Sequence, residues 1–555
     1  MKDKNTLKWL YKSSKVQLPA VLLLTVMRSA TTILGVTFAL TSQVVIDAAV
    51  AHDMYGLKMA SIKLLLIIAA QILIRLFGQS LEVVTTARLQ MSLRGKMFYS
   101  ILKKDYSRAT AYHSGDLLTR LSNDTNIIAS GAISLIPSVL AMLTGLVYAL
   151  YSLTVLDRNF AFIFFAGGII LLVVISTFRG VMKKLHKRVQ ETEGKVRSFL
   201  QESLGSLIMV KVFGIEDAVS KTARELQNEN YKAQLKRRNL TIFASSSLGF
   251  IFSIGSLYAL VYSSFRLYYG TITFGALTAI LQLVNQIQSP FAGLSGVIPQ
   301  YFAILASAER IIEIESLPDE KAACRRLDAQ KDYEKLELIG FDNVSFGYGR
   351  DEILDSASLS INKGDFAVIG GISGIGKSTL LKLLLGVISP QSGDIYLKIN
   401  GERLPVGKHS RPIFSYVPQG NLLLSGTIRD AVSMVCPDAT DEKIMQAAEI
   451  SCAAEFIRQL PNGLDTYVGE KGMGLSEGQV QRLAVTRAIL SDAPIILLDE
   501  ATSALDEATE AKLLQNIKAM ENKTCIIISH KRAAFDVCNK KIFIEDKKIR
   551  VEKGL

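Results

Sequence analysis

The run Gly371-Ile372-Ser373-Gly374-Ile375-Gly376-Lys377-Ser378-Thr379 has the spacing G-x4-G-K-S. Glycines at these positions let successive backbone N–H groups curl around phosphate oxygens. Lys377 is then placed to neutralise the β- and γ-phosphates of a nucleotide, and the Ser378 hydroxyl to hold Mg²⁺. Two further groups suit the same chemistry. Asp499-Glu500 offers one carboxylate for Mg²⁺, directly or through water, and a second, Glu500, to polarise an attacking water as general base. His530, after Ser529, suits a γ-phosphate contact.

Each of these groups is expected at the end of a strand. Phe366–Gly370 reads as a buried strand before the glycine loop, and an apolar helix follows at Leu380–Leu384. Ile495–Leu498 leads into Asp499, and Cys525–Ile528 leads into Ser529-His530. In an open parallel α/β sheet, loops at the carboxyl ends of neighbouring strands converge on one ligand. A further helix start reads Ser476-Glu477-Gly478-Gln479. Ser476 with Gln479 three residues on fits a capping box. Such a helix start attracts anions through its free N–H groups and dipole, and Glu477 is the exception within it.

The 555 residues are too many for one core. A mean hydropathy of +0.28 is high for a wholly soluble chain. Six apolar stretches are long enough to cross a bilayer: about 18–50, 57–81, within 125–156, 159–178, within 239–265, and from Phe274 onward. Lys2, Lys4, Lys8, Lys12 and Lys15 precede the first. Arg88, Arg94, Lys96, Lys103, Lys104 and Arg108 follow the second, and Arg179, Lys183, Lys184, Lys187 and Arg188 follow the fourth. Positive charge marks the cytosolic side, so both termini and the whole second half are expected in the cytosol. The net charge of +12 thus points to a membrane face, and no nucleic-acid partner is expected. Residues 1–17 read as an interfacial elbow helix. Residues 82–124 and 179–238 read as helical extensions into the cytosol, reversing near His113-Ser114-Gly115-Asp116 and near Phe213–Asp217. Cys324, Cys436, Cys452, Cys525 and Cys538 all fall in the second half without CxxC spacing. That fits a reducing compartment and argues against a structural metal.

On these residues the chain resembles the ABC transporter family, specifically half-transporters of the exporter (type IV) fold. The resemblance implies an α-helical six-span transmembrane domain (18–315) with two cytosolic coupling hairpins, a linker (316–335) and an α/β P-loop ATPase domain (336–555). It implies that Tyr348 in "VSFGYG" stacks on adenine, and that Gln419 in "YVPQ" senses Mg²⁺. "TYVGEKG" (466–472) resembles the X-loop. "LSEGQ" (475–479) stands where LSGGQ belongs, with Ser476, Gly478 and Gln479 toward a partner's γ-phosphate and Glu477 replacing a glycine. "SALD" (503–506) resembles the D-loop, ending in Asp506, and His530 the switch histidine. The cofactors implied are ATP and Mg²⁺. One Walker A and one signature per chain imply a dimer. A homodimer is expected because one chain carries every residue required, and a second half-transporter is the alternative. The expected location is the plasma (inner) membrane.

Arg28 and Arg75 interrupt apolar spans, and Gln282, Asn285, Gln286 and Gln288 punctuate the sixth. Facing a cavity, the arginines would favour an anionic substrate; otherwise they would snorkel or pair with Glu82 or Asp47, and the amides would bond between helices. No cysteine precedes Cys324, so a cysteine-protease domain ahead of the spans is not expected. The leading expectation is ATP-driven export of a peptide or amphipathic compound. Import in the same fold, for example of a siderophore, and a sensing ATPase without cargo are the alternatives.

Overall fold

The computed structural model describes residues 2–320, 326–349, 351–420, 423–469 and 472–553, with side chains of 2–4, 163–164, 166–179, 183, 292, 294–295 and 298 not included. Cys324, the Arg179 and Lys183 side chains, and Glu470 and Lys471 of the 466–472 segment lie outside the described residues. The chain divides into two units, one of residues 1–99 with 115–315, the other of 100–114 with 316–555.

The first unit is helical. It opens with α1 (Lys2–Ser14), followed by α2 (Leu18–Val50) and α3 (Met54–Lys103). The short α4 (Tyr106–Ala109) belongs to the other unit. Then come α5 (Ser114–Thr119), α6 (Thr125–Leu156), α7 (Arg158–Gly205), α8 (Leu207–Phe213), α9 (Glu216–Tyr268) and α10 (Phe274–Glu315). At 50 residues, α3 is about 75 Å long by helical rise, more than twice a hydrocarbon core of about 30 Å. Part of it must therefore stand outside the bilayer. Asn5–Val50, Met54–Lys103, Ser114–Leu156 and Glu216–Tyr268 are long and apolar enough to cross. Leu65, Leu66, Leu73 and Phe77 on α3 remain exposed, as a lipid-facing surface requires. Inside, Val36, Ala149, Phe160, Ala259 and Leu283 join α2, α6, α7, α9 and α10 in one core. Small residues allow close approach: a Cβ on Gly131 would lie 2.2 Å from Ile304.

Turns fall where hydropathy breaks. Asp157 accepts the Phe160 N–H at 3.0 Å and so starts α7. Gly214, at φ +61°, ends α8 in the left-handed region, matching the expected second cytosolic reversal. The first reversal occupies residues 104–113 and so ends at the expected turn near His113–Asp116. Hydrogen bonds within the second unit hold its beginning. Asp105 caps α4 by accepting the Arg108 N–H at 3.2 Å. Pro318 O accepts the Asp105 N–H at 3.0 Å, and Lys103 O accepts the Glu320 N–H at 2.9 Å. Lys104, buried there, donates to Leu317 O at 2.8 Å and Asp319 at 2.7 Å.

The rest of the second unit is built on two sheets. In chain order its strands are β1 (Leu336–Tyr348), β2 (Asp351–Asn362), β3 (Phe366–Gly370), β4 (Ser392–Ile399), β5 (Glu402–Pro405), β6 (Phe414–Val417), β7 (Gly426–Thr427), β8 (Tyr467–Val468), β9 (Ile495–Asp499), β10 (Thr524–Ile528), β11 (Lys540–Glu545) and β12 (Lys548–Lys553). An antiparallel sheet runs β2-β1-β4-β5, and a six-stranded sheet runs β12-β11-β3-β10-β9-β6, parallel from β11 to β6. Alternation along the strands splits their side chains between two cores. Ala367, Ile369, Leu497 and Ile526 face the antiparallel sheet, whereas Val368, Leu498 and Ile527 face helices that include Val485 and Leu513. Both faces are covered, which is why these strands read as continuous apolar runs. Of the segment expected as linker, Leu327 and Tyr333 are buried in the first of these cores, and the Tyr333 hydroxyl lies 2.9 Å from Thr524.

Candidate functional site

Three loops leave the carboxyl ends of β3, β9 and β10, which are laterally adjacent. The glycine loop after β3 turns through left-handed backbone at Gly374 (φ +83°) and Gly376 (φ +107°). At Gly376 a Cβ would also lie 2.1 Å from Ile353, so conformation and space both demand glycine there. Ser373 stands exposed on the loop crest, and Thr379 is buried below it. The helix Lys377–Leu384 then begins, its first N–H groups lacking intrahelical acceptors and directed to the loop.

Lys377 is buried, and its ammonium donates to Gly371 O at 2.8 Å and Ile372 O at 3.2 Å. It lies 2.8 Å from His530 Nε2. An ammonium only donates, so His530 accepts at Nε2 and carries its proton at Nδ1. Burial pushes the Lys377 pKa down, against the pull of Glu500 and Asp499.

Asp499 closes β9 and is 1% exposed. Ser378 Oγ donates to its Oδ1 at 2.9 Å, and the Tyr416 hydroxyl donates to its Oδ2 at 3.0 Å. Burial raises the Asp499 pKa, while these two donors oppose the rise. The Tyr416 pKa rises well above the usual phenol range, first through burial and then through Asp499, which fixes the phenol as a donor. The hydroxyl and carboxylate oxygens at Ser378 and Asp499 suit a hard divalent cation. Tyr416 was absent from the sequence expectations. The signal available was its place in β6, whose register sets Tyr416 beside Leu497 of β9.

Glu500 adopts φ +50°, strained for a non-glycine residue, and its N–H is held by Ile528 O at 3.1 Å. Gln419 Nε2 donates to its Oε2 at 2.6 Å, and His530 Nε2 lies 3.6 Å from its Oε1. Lys377, Ser378, Tyr416, Gln419, Asp499, Glu500 and His530 thus form one connected cluster.

The helix Glu477–Leu490 starts elsewhere. Ser476 Oγ accepts the Gln479 N–H at 3.3 Å and Gln479 Oε1 accepts the Ser476 N–H at 2.8 Å, closing the capping box. Glu477 points to solvent. Gly478 packs on the 503–506 segment, where a Cβ would stand 3.0 Å from Ala504 O. Gln481, also unforeseen, ties that segment down through Ser503 Oγ at 2.9 Å and the Ala504 N–H at 3.0 Å. Asp506 caps the helix Glu507–Lys518 by accepting the Thr509 N–H at 2.9 Å, and that bond lowers its pKa. Among the described residues, no hydrogen bond or ion pair joins Ser476, Gly478 or Gln479 to the glycine-loop cluster. Tyr348 ends β1 half-exposed, edge-on to Phe346 at 5.0 Å.

In the helical unit, Arg28 pairs with Glu82 at 2.6 Å and also donates to Ser138 and to Ser134 O. Its charge is therefore paired between α2, α3 and α6. Asp47 serves α10 instead, accepting the Gly275 N–H at 2.9 Å. Gln286 donates to Gly35 O at 2.7 Å and Gln288 to Phe252 O at 3.1 Å, so these amides bond between helices. Arg75 and Asn285 are exposed, and Gln282 is partly so.

Comparison with known proteins agrees with this arrangement. Residues 21–291 match the ABC transporter transmembrane region, and residues 354–503 match the ABC transporter ATPase family. A Haemophilus influenzae protein named as an ABC transporter ATP-binding/permease protein is 30% identical over 475 residues, 83% of each chain. The ATP-dependent lipid A-core flippase of Desulfotalea psychrophila is 30% identical over 83% of this chain and 80% of its own. A Staphylococcus aureus protein named for multidrug export is 29% identical over 83% of this chain and 81% of its own. The structure of a bacterial Atm1-family ABC exporter with ATP bound superposes with TM-score 0.81 at 23% identity, over 98% of this chain and 95% of that one. The chain therefore belongs to the ABC transporter family, as an integral membrane protein with the exporter fold whose ATPase domain couples ATP hydrolysis to transport.

Proposed function

We propose that two copies of this chain form a homodimeric exporter, in the inner membrane with both termini cytosolic, that moves an amphipathic or hydrophobic compound, or a peptide, out of the cytosol. The observation that carries the reading is that Lys377 meets His530 and Gln419 meets Glu500, with His530 3.6 Å from Glu500, all beside Ser378–Asp499. In this reading the backbone at Gly371, Ser373, Gly374, Gly376 and Thr379 cradles the ATP phosphates while Tyr348 stacks on the base. Lys377 exchanges its carbonyl partners for β- and γ-phosphate oxygens. Ser378, Asp499 and Gln419 hold Mg²⁺, which supplies neutralisation of phosphate charge when bound. Glu500 takes the proton of the attacking water, held in place by Gln419, and neutral His530 faces the γ-phosphate. Ser476, Gly478, Gln479 and Asp506 serve the site of the other copy. The two relatives named for a lipid A-core flippase and for multidrug export support an amphipathic cargo.

The test uses the full protein in liposomes. Glu500→Gln is expected to keep ATP binding while hydrolysis falls roughly 10²- to 10⁴-fold, the usual contribution of a general base. Hydrolysis persisting at the parent rate would overturn the assignment. Inside-out vesicles given external ATP are expected to accumulate amphipathic compounds that stimulate hydrolysis. Loss of preloaded compound under the same conditions would favour import, and stimulation without movement a sensing ATPase.

A further inference from the structure

Glu510 is fully buried, yet it takes no part in the cluster above. Its Oε1 accepts the Thr502 hydroxyl proton at 2.7 Å, and its Oε2 lies 3.3 Å from Lys531 Nζ. Lys531 directly follows His530. Its ammonium donates to Thr502 O at 3.0 Å and Leu505 O at 2.6 Å, and it meets Glu510 as an ion pair rather than a hydrogen bond. The Lys531 N–H donates in turn to Ser529 Oγ at 3.1 Å. One side chain thus stitches the 502–505 segment, which runs from Glu500 to Asp506, onto the turn that carries His530. The far side of the same segment is held by Gln481 through Ser503 and Ala504. A buried ion pair contributes little net stability against an apolar replacement, but it fixes geometry. Here the fixed geometry relates the general-base residue, the histidine and the start of the Glu477–Leu490 helix.

We propose that Glu510 and Lys531 are positioning residues for ATP hydrolysis: the pair locks the 502–505 segment to the His530 turn and so sets the separation of Glu500 from His530. The proposal rests on the roles assigned above to those two residues.

The experiment measures kcat and KM for ATP in the full protein in liposomes, with the melting temperature of the same preparations. Glu510→Gln keeps an acceptor for Thr502 and removes the charge. It is expected to lower kcat roughly tenfold, as small misplacements of reacting groups do, with KM changed less than about twofold. Lys531→Arg is expected to keep kcat within about threefold, since a cation with several donors remains. The double variant Glu510→Gln/Lys531→Met removes both charges. It is expected to melt near the parent and still show the low kcat. Recovery of kcat together with melting temperature would mean the pair only stabilises the fold, and would overturn the proposal. If either single variant fails to fold, kcat of the double variant decides. His530→Ala is run in parallel. If it hydrolyses at the parent rate, the site assignment falls and takes this proposal with it. If it is inactive while folded Glu510→Gln retains the parent kcat, this proposal alone falls.

Discussion

Tyr416→Phe removes one oxygen and leaves the ring packing of β6 in place. In the parent, the Tyr416 hydroxyl donates at 3.0 Å to Oδ2 of Asp499, and Ser378 donates at 2.9 Å to Oδ1. Burial raises the Asp499 pKa and these two bonds restrain it. With the phenol gone, burial is opposed mainly by Ser378, so the pKa must rise further. A hydrogen bond to a charged group contributes about 1.5–3 kcal/mol. A protonated Asp499 cannot hold a cation, so the acid side of the rate profile should move toward higher pH. The assay is kcat/KM for ATP in liposomes between about pH 5.5 and 8.5, at subsaturating Mg²⁺ so that the cation does not mask the shift. Near the alkaline end the variant should approach the parent, and its deficit should grow as the pH falls. Superimposed profiles would refute the reasoning, and so would a loss of equal size at every pH, because only a change in ionisation makes the deficit depend on acidity.

Because burial raises the folded-state pKa of Asp499, ionising it costs stability, and that cost appears as pH rises through the folded-state value. Asp499→Asn should therefore melt higher than the parent at neutral pH while losing hydrolysis; a lower melting temperature there would contradict the sign. Arg28→Met and Glu82→Gln should each lower the melting temperature by stranding a partly buried charge, at about 1–3 kcal/mol, whereas the double variant should recover most of it. An unrecovered double variant would show that Arg28 acts through something other than Glu82. Glu477→Gly should retain hydrolysis and lower KM for ATP, at a stability cost of about 0.3–1 kcal/mol from the lost charge at the helix start. A several-fold fall in kcat would show that the carboxylate serves the site.

The ATPase site was legible in the sequence to the extent that its groups sit at strand ends. Asp499, Glu500 and His530 follow uninterrupted apolar runs, and such runs mark strands covered on both faces. The glycine loop announced itself because Gly374 and Gly376 meet backbone conformations other residues adopt poorly. Tyr416 was not legible, because its role depends on lateral register between β6 and β9, strands separated by a long stretch of chain. Glu510 was hidden for a related reason. In sequence it is one acid among several near a helix start, and only its burial against Lys531 sets it apart from Glu507. Asp506 shows the opposite case, a residue whose capping role was readable from its position before Glu507–Lys518 but was passed over for a functional one.

In the helical unit the sequence stated which residues are unusual without stating what they do. A glutamine in an apolar helix must find a partner, and a carbonyl on a neighbouring helix serves as well as a substrate. Gln286 and Gln288 took carbonyls on α2 and α9, and Arg28 took a carboxylate on α3. These bonds do for packing what a cargo contact would do for binding, so hydropathy and residue type cannot separate the two. The first reversal was legible only in part: its expected residues stand at its end, while Asp105 and the 317–320 segment bond its beginning. Where local preference and a long-range partner compete, the partner decides. That is why the bonds between the apolar helices, distant in sequence, were less readable than the nucleotide site, whose parts each carry their own local constraint.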